Sequence, residues 1–175
     1  MKNIKNYQAH LRESEAAPQT RRSIDDLWIV YFQEEDDWHF IAAYEDPSSA
    51  TERFTEEADD WHGDAIEERI QQMMDDDPDV WGEGSTPAEL YNRDPNAYHE
   101  LWFDALDFVQ THEEGEGREY SYARLKHIES DMESAGRADD LKRFMKDLTS
   151  SDETPGWAKS AIERRERSRG AFGRF

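Results

Sequence analysis

Between Glu34 and Glu116 the chain holds 27 carboxylates against three basic residues, Arg53, Arg69 and Arg93, a local charge of −24. No lysine occurs between Lys5 and Lys126. The whole chain is −21, so the remainder is slightly basic and the middle carries all the net charge. Such density opposes a compact state by self-repulsion and calls for salt, a cation or a basic partner. Only a core of large side chains offsets it. Six Trp, seven Tyr and eight Phe supply that core, although apolar residues make up only 35% of the chain; each ring buries a large area.

The acidity also excludes partners. A surface of this sign repels nucleic acid and anionic membrane. Three readings follow: a mimic of nucleic-acid phosphate that occupies a basic groove, a binder of a cationic partner or metal ions, or an adaptation to high salt. Arginine outnumbers lysine 15 to 6, which fits the last. With no cysteine there is neither disulfide nor thiolate metal site. No apolar run of about 18 residues spans a membrane, and the N-terminus lacks the apolar stretch of a secretory signal.

Patterning predicts an α+β fold, mostly helical, with one N-terminal β-hairpin followed by five or six helices. Leu27–Gln33 and Trp38–Tyr44 read as strands, being β-branched and aromatic. Between them EEDD reads as a four-residue loop, a negative tip made of Glu34, Glu35, Asp36 and Asp37. Ser48 or Ser49 is expected to cap a helix from Ala50, with Phe54, Ala58 and Trp61, then Ala65, Ile66, Ile70 and Met73, as its apolar stripe, and Gly63 as a possible break. DDDPDVWGEGS reads as an acidic loop. Thr86-Pro87 and Asp94-Pro95 each open a helix with proline at the first position. The second runs to about His112. Tyr98, Leu101, Trp102, Ala105, Leu106 and Val109 face its core, and Glu100, Asp104 and Asp107 lie on its other face. After a break at 115–117, Ser121–Ser134 and Ala138–Leu148 read as helices parted by Gly136, and Thr154 is expected to cap a last one. The domain reading is a leader and linker over 1–20, one acidic domain over 21–150, and a C-terminal helix with a basic tail over 151–175.

Catalytic motifs are missing: there is no HExxH, GxSxG, P-loop, GxGxxG or cysteine nucleophile. No enzyme and no cofactor are assigned. Asp59 and His62 at i, i+3, with Asp64 near, have a spacing that can ligate a metal, but in so acidic a chain any His has an Asp at that distance, and no metal site is assigned. Asp75, Asp76, Asp77 and Asp79 suit loose divalent-cation binding and lack the full calcium-loop pattern. EEDDWH at 34–39 and EEADDWH at 56–62 form a near-repeat that falls on a hairpin and a helix and is read as coincidence. The stretch 159–174 is basic and holds Phe172, with Phe175 directly after it, a weak signal for direct nucleic-acid binding.

The opening MKNIKNYQAHLRE resembles the capsid-targeting leader of internal head proteins of T-even-type tailed phages. Lys2, Tyr7, Gln8 and Leu11 match its character, and Leu11-Arg12-Glu13 before Ser14 matches the site after whose Glu the prohead protease cuts. The resemblance covers 13 of 175 residues. It implies a protein packaged in the virion and delivered to the host cytoplasm, where some such proteins inhibit restriction enzymes. Cleavage after Glu13 would leave −23, whereas internal head proteins are often basic; the acidity fits a phosphate mimic better. The expectation is a non-enzymatic phage protein that binds a basic protein surface, of the anti-restriction, DNA-mimic type, through Glu34, Glu35, Asp36, Asp37, Glu100, Asp104 and Asp107. The alternatives are a virion structural or assembly component and a salt-adapted cellular domain. Regular carboxylate spacing along one face favours mimicry, and evenly spread charge favours salt adaptation.

Overall fold

The structure, a computed structural model, describes residues 22–112 and 117–172, with side chains to 168. The leader, its cleavage position at Glu13 and Ser14, and the end of the basic tail lie outside the described residues. The fold is α+β and mostly helical. A 3₁₀ turn at Ile24–Asp26 leads into an antiparallel hairpin, β1 (Trp28–Glu34) and β2 (Asp37–Tyr44). Helices α1 (Pro47–Asp76), α2 (Pro78–Trp81), α3 (Pro87–Arg93) and α4 (Pro95–His112) follow, then β3 (Arg118–Arg124), α5 (Leu125–Ser134), α6 (Ala138–Ser150) and α7 (Gly156–Phe172). The chain divides into two compact units. One holds the residues up to Phe54 and from Tyr120 on; the other is Thr55–Glu119.

The first unit is built on a three-stranded sheet in the order β2-β1-β3. Its hairpin loop is two residues, not four, because Glu34 pairs with Asp37 and only Glu35 and Asp36 turn. Short turns of this kind match the right-handed twist of the strands, at the cost of a left-handed residue. Glu35 takes that role with φ 55°. A bulge interrupts the register: Val30 faces Ala42, but Tyr31 faces Phe40, so Ile41 is extra. An extra residue shifts the alternation by one. Trp38 and Phe40 are thereby brought to the face of Ile29, Tyr31 and Ala43.

That face meets α5, α6 and α7. Leu125, Ile128 and Met132, then Leu141, Phe144, Met145 and Leu148, then Ala158 and Ile162 complete the core. Phe144 sets its edge against Tyr31 and Phe40 at 6.3 and 6.0 Å between ring centres, while Tyr31 stacks on Trp38 at 4.9 Å. A buried phenylalanine of this kind is worth about 3–5 kcal/mol over alanine. On the opposite face Trp28, Val30 and Ala42 are buried, and Tyr122 of β3 touches Trp28 and Phe54.

β3 corrects the expectation of a helix from Ser121. In REYSYAR, Tyr120 and Tyr122 alternate with smaller or charged residues, and tyrosine favours a half-buried pleated surface. The helix begins only at Leu125, whose amide bonds the Leu27 carbonyl at 2.8 Å. It ends as expected at Gly136, whose φ of +73° lets Arg137 N–H reach back to the Met132 carbonyl at 2.8 Å. Two caps also differ. Asp46, not Ser48 or Ser49, caps α1, its carboxylate accepting from the Ser49 amide at 2.8 Å, so proline again takes the first helical position. Thr154 does not cap α7. Its hydroxyl is buried and has no hydrogen-bond partner among the described residues, and the helix starts from Pro155, whose carbonyl accepts from the Ala158 amide. The last helix is held by Arg165, which grips both carboxylate oxygens of the buried Glu129 and reaches Asp25 at 3.3 Å.

In the second unit α1 runs on without a break at Gly63. α2 is a four-residue helix inside the stretch expected to be loop. α3 carries a full capping box, Thr86 Oγ1 accepting from the Glu89 amide and the Glu89 carboxylate from the Thr86 amide. Asp94 caps α4 by accepting from the Ala97 amide at 3.1 Å. Leu101, Trp102, Ala105, Leu106 and Val109 are buried, as the spacing predicts.

Candidate functional site

The buried residues of α1 recur at a strict spacing of four: Ala58, His62, Ile66, Ile70 and Met74, continuing Ala50 and Phe54. Of the expected stripe, Phe54, Ala58, Ile66 and Ile70 are buried, while His62 and Met74 stand where Trp61 and Met73 were expected. Trp61 is 50% exposed, and Ala65 and Met73 are half-buried. Two residues on from Phe54, Ala58, His62 and Ile66 stands a second row, Glu56, Asp60, Asp64 and Glu68, preceded at the same spacing by Glu52 and ended by Gln72. Two residues are about 200° of helix, so this row lies on the face opposite the buried one. All its members are exposed.

The row is costly. Like charges at i, i+4 oppose the helix by about 0.2–0.5 kcal/mol per pair. Asp75 and Asp76 also sit in the last turn, which has no basic residue, against the helix dipole. From Glu56 to Asp76 nine carboxylates face a single Arg69, eight net negative charges along about 30 Å. That is one per about 4 Å, against one per about 3.4 Å along a strand of duplex DNA.

The charge is also placed unevenly. Thr55–Glu119 contains 21 carboxylates and three arginines, so −18 of the chain's −21 belongs to this 65-residue unit. Its arginines are engaged with aromatic residues. Arg69 lies 4.0 Å over the Phe108 ring, Arg118 lies 4.0 Å over the Trp61 ring, and Arg93 donates to the Trp81 carbonyl at 3.1 Å.

The seven carboxylates expected to bind a partner fall on different units. Glu34, Glu35, Asp36 and Asp37 are on the hairpin of the first unit. There Asp37 pairs with Arg143 at 3.1 Å, and Arg143 with Asp140 at the same distance. Glu100, Asp104 and Asp107 are on α4 of the acidic unit, the first two exposed and Asp107 half-buried. Burial, and then the neighbouring Asp107, push the Asp104 carboxyl above its ordinary range. A raised carboxyl favours the fold most when it is protonated. Asp104→Asn is therefore expected to raise the melting temperature at pH 7, and to leave it unchanged near pH 3, where native and unfolded chains are both protonated. With the group largely in solvent the gain is about half a kcal/mol or less. An equal gain at both pH values overturns this account.

His62, Asp59 and Asp64 do not converge. The His62 ring is buried, its Nε2 donating to the Arg118 carbonyl at 2.8 Å, while Asp59 accepts from the Trp102 indole at 3.4 Å. Asp75, Asp76, Asp77 and Asp79 are exposed. Among the described residues no group of three or more His, Cys, Asp or Glu is arranged to hold a metal ion, and no helix is long and apolar enough to cross a membrane. In the basic tail Lys159, Arg165 and Arg167 are paired with Asp152, Glu129 and Glu163.

The sequence reading missed the row on α1 although its spacing is legible in EEADDWHGDAIEER. No family model, no curated protein and no solved structure matches the chain.

Proposed function

We propose that the chain is a non-enzymatic DNA mimic, whose acidic unit occupies the basic surface of a nucleic-acid-binding protein in the manner of an anti-restriction inhibitor. One observation carries the reading: a row of exposed carboxylates at strict four-residue spacing, about 6 Å apart, along one face of a helix whose whole circumference carries about one net negative charge per 4 Å. Salt adaptation spreads charge for hydration and has no use for a register. A net −18 on one unit and −3 on the other is the reverse of even. The leader's resemblance supports a phage source, with the virion and the host cytoplasm as its places of action. The test is competition. The protein should displace duplex DNA from at least one of a panel of host restriction, recombination and nuclease proteins, and the displacement should weaken steeply as salt rises. No binding across the panel at physiological salt overturns the proposal.

A further inference from the structure

The acidic unit also exposes aromatic rings. Trp61, Tyr91 and Phe108 are 50%, 50% and 38% exposed. Two of the three already seat a guanidinium of the chain itself, at 4.0 Å. Tyr91 seats none. It stands at the end of α3 in an edge-to-face cluster with Tyr98, 5.2 Å between centres, and with His99, 6.2 Å. Tyr98 lies within the field of Glu67 and Asp59, which after burial are the main causes holding its hydroxyl protonated above the usual range. Asp59 and Glu67 are exposed on α1. The unit's two other exposed rings each lie under a guanidinium, and Tyr91 presents the same kind of face next to Tyr98, on which Glu67 and Asp59 act.

We propose that Tyr91, with Tyr98 and the flanking Asp59 and Glu67, is a receptor for an arginine side chain of the basic partner. The inference rests on the DNA-mimic reading and adds to it a preference for arginine over lysine. A guanidinium is flat and weakly hydrated, so it lies on a ring while its edge donates to carboxylates; an ammonium is a compact, strongly hydrated charge and gains less. Duplex DNA offers a basic protein phosphates but no such exposed ring, so this contact belongs to the mimic alone.

The test uses the full chain and two probes of equal charge, nona-arginine and nona-lysine peptides, at about 0.1 M KCl. The arginine peptide should bind more tightly. Tyr91→Leu should cut that preference by about threefold to fivefold, the size of one exposed cation–π contact, and leave the lysine peptide's affinity unchanged. Tyr91→Phe should preserve the preference, because the ring is kept. Trp61→Leu should preserve it too, because Arg118 already covers that ring. Equal affinities for the two peptides, or a preference that survives Tyr91→Leu intact, overturns the arginine site and leaves the acidic surface standing as a mimic. If neither peptide binds, both readings fall.

Discussion

Changing Glu56, Asp60, Asp64 and Glu68 together to glutamine and asparagine is expected to abolish partner binding and, at low salt, to stabilise the protein. The two effects have opposite signs and one cause. The side chains are exposed and opposite the buried row, so their replacement by amides of similar size leaves no cavity. Four like-charge i, i+4 contacts disappear, Glu52–Glu56 among them, together worth about 1–2 kcal/mol. The partner loses four regularly placed charges. If each accounts for one displaced counterion, the salt slope of binding should fall by about 3–4 and the affinity by at least about a hundredfold. The comparison is the hairpin block, Glu34, Glu35, Asp36 and Asp37, where one member is already paired with Arg143. That block should cost less binding and, through the lost ion pair, yield no gain in stability. A row variant that is stabilised and still binds would separate the charge pattern from function and sink the proposal.

The second large effect is on salt. Raising KCl from about 10 mM to about 1 M shortens the screening length from about 30 to about 3 Å. Repulsion within a unit of −18 is then largely removed, and the melting temperature should rise by about 10 °C or more. The response should differ along the chain. Amide exchange in Thr55–Glu119 should slow strongly. In the other unit, salt also weakens exposed pairs such as Arg22–Glu45 and Arg143–Asp37, and protection there should change little. A flat melting curve, or equal slowing in both units, means that the carboxylates are compensated internally.

What the sequence disclosed follows from how local each determinant is. The hairpin, Thr86-Pro87, Asp94-Pro95 and Gly136 are written in neighbouring residues, and all are present, the hairpin with a tighter turn than expected. β3 was hidden because its strand character depends on lying beside β1; taken alone, its residues run smoothly into the helix after Leu125. The stripe of α1 was legible at Phe54, Ala58, Ile66 and Ile70 and misread at Trp61 for a different reason. An amphipathic helix alternates steps of three and four, and Trp61 satisfies that rule. A strict step of four brings in His62, a polar residue whose burial rests on the distant Arg118 carbonyl. Thr154 shows the limit of capping rules, since a buried hydroxyl next to Pro155 meets no free amide. The acidic row needed only that the carboxylates of α1 be counted in fours, yet its meaning depended on knowing which face was covered.

A repeat of four on a helix of 3.6 residues per turn does not run straight. Each step advances about 40°, in the right-handed sense, so the line through Glu56, Asp60, Asp64 and Glu68 is itself a right-handed spiral of pitch about 54 Å. A DNA strand turns with the same hand, once in about 34–36 Å. A flat basic plate would hold only two or three of these charges before the row wound out of reach. A basic groove that curves to follow a phosphate strand turns with the same hand, although with a shorter pitch, and so meets more of the row than a flat plate does. On the mimic reading, the step of four therefore favours a right-handed groove over a flat basic face.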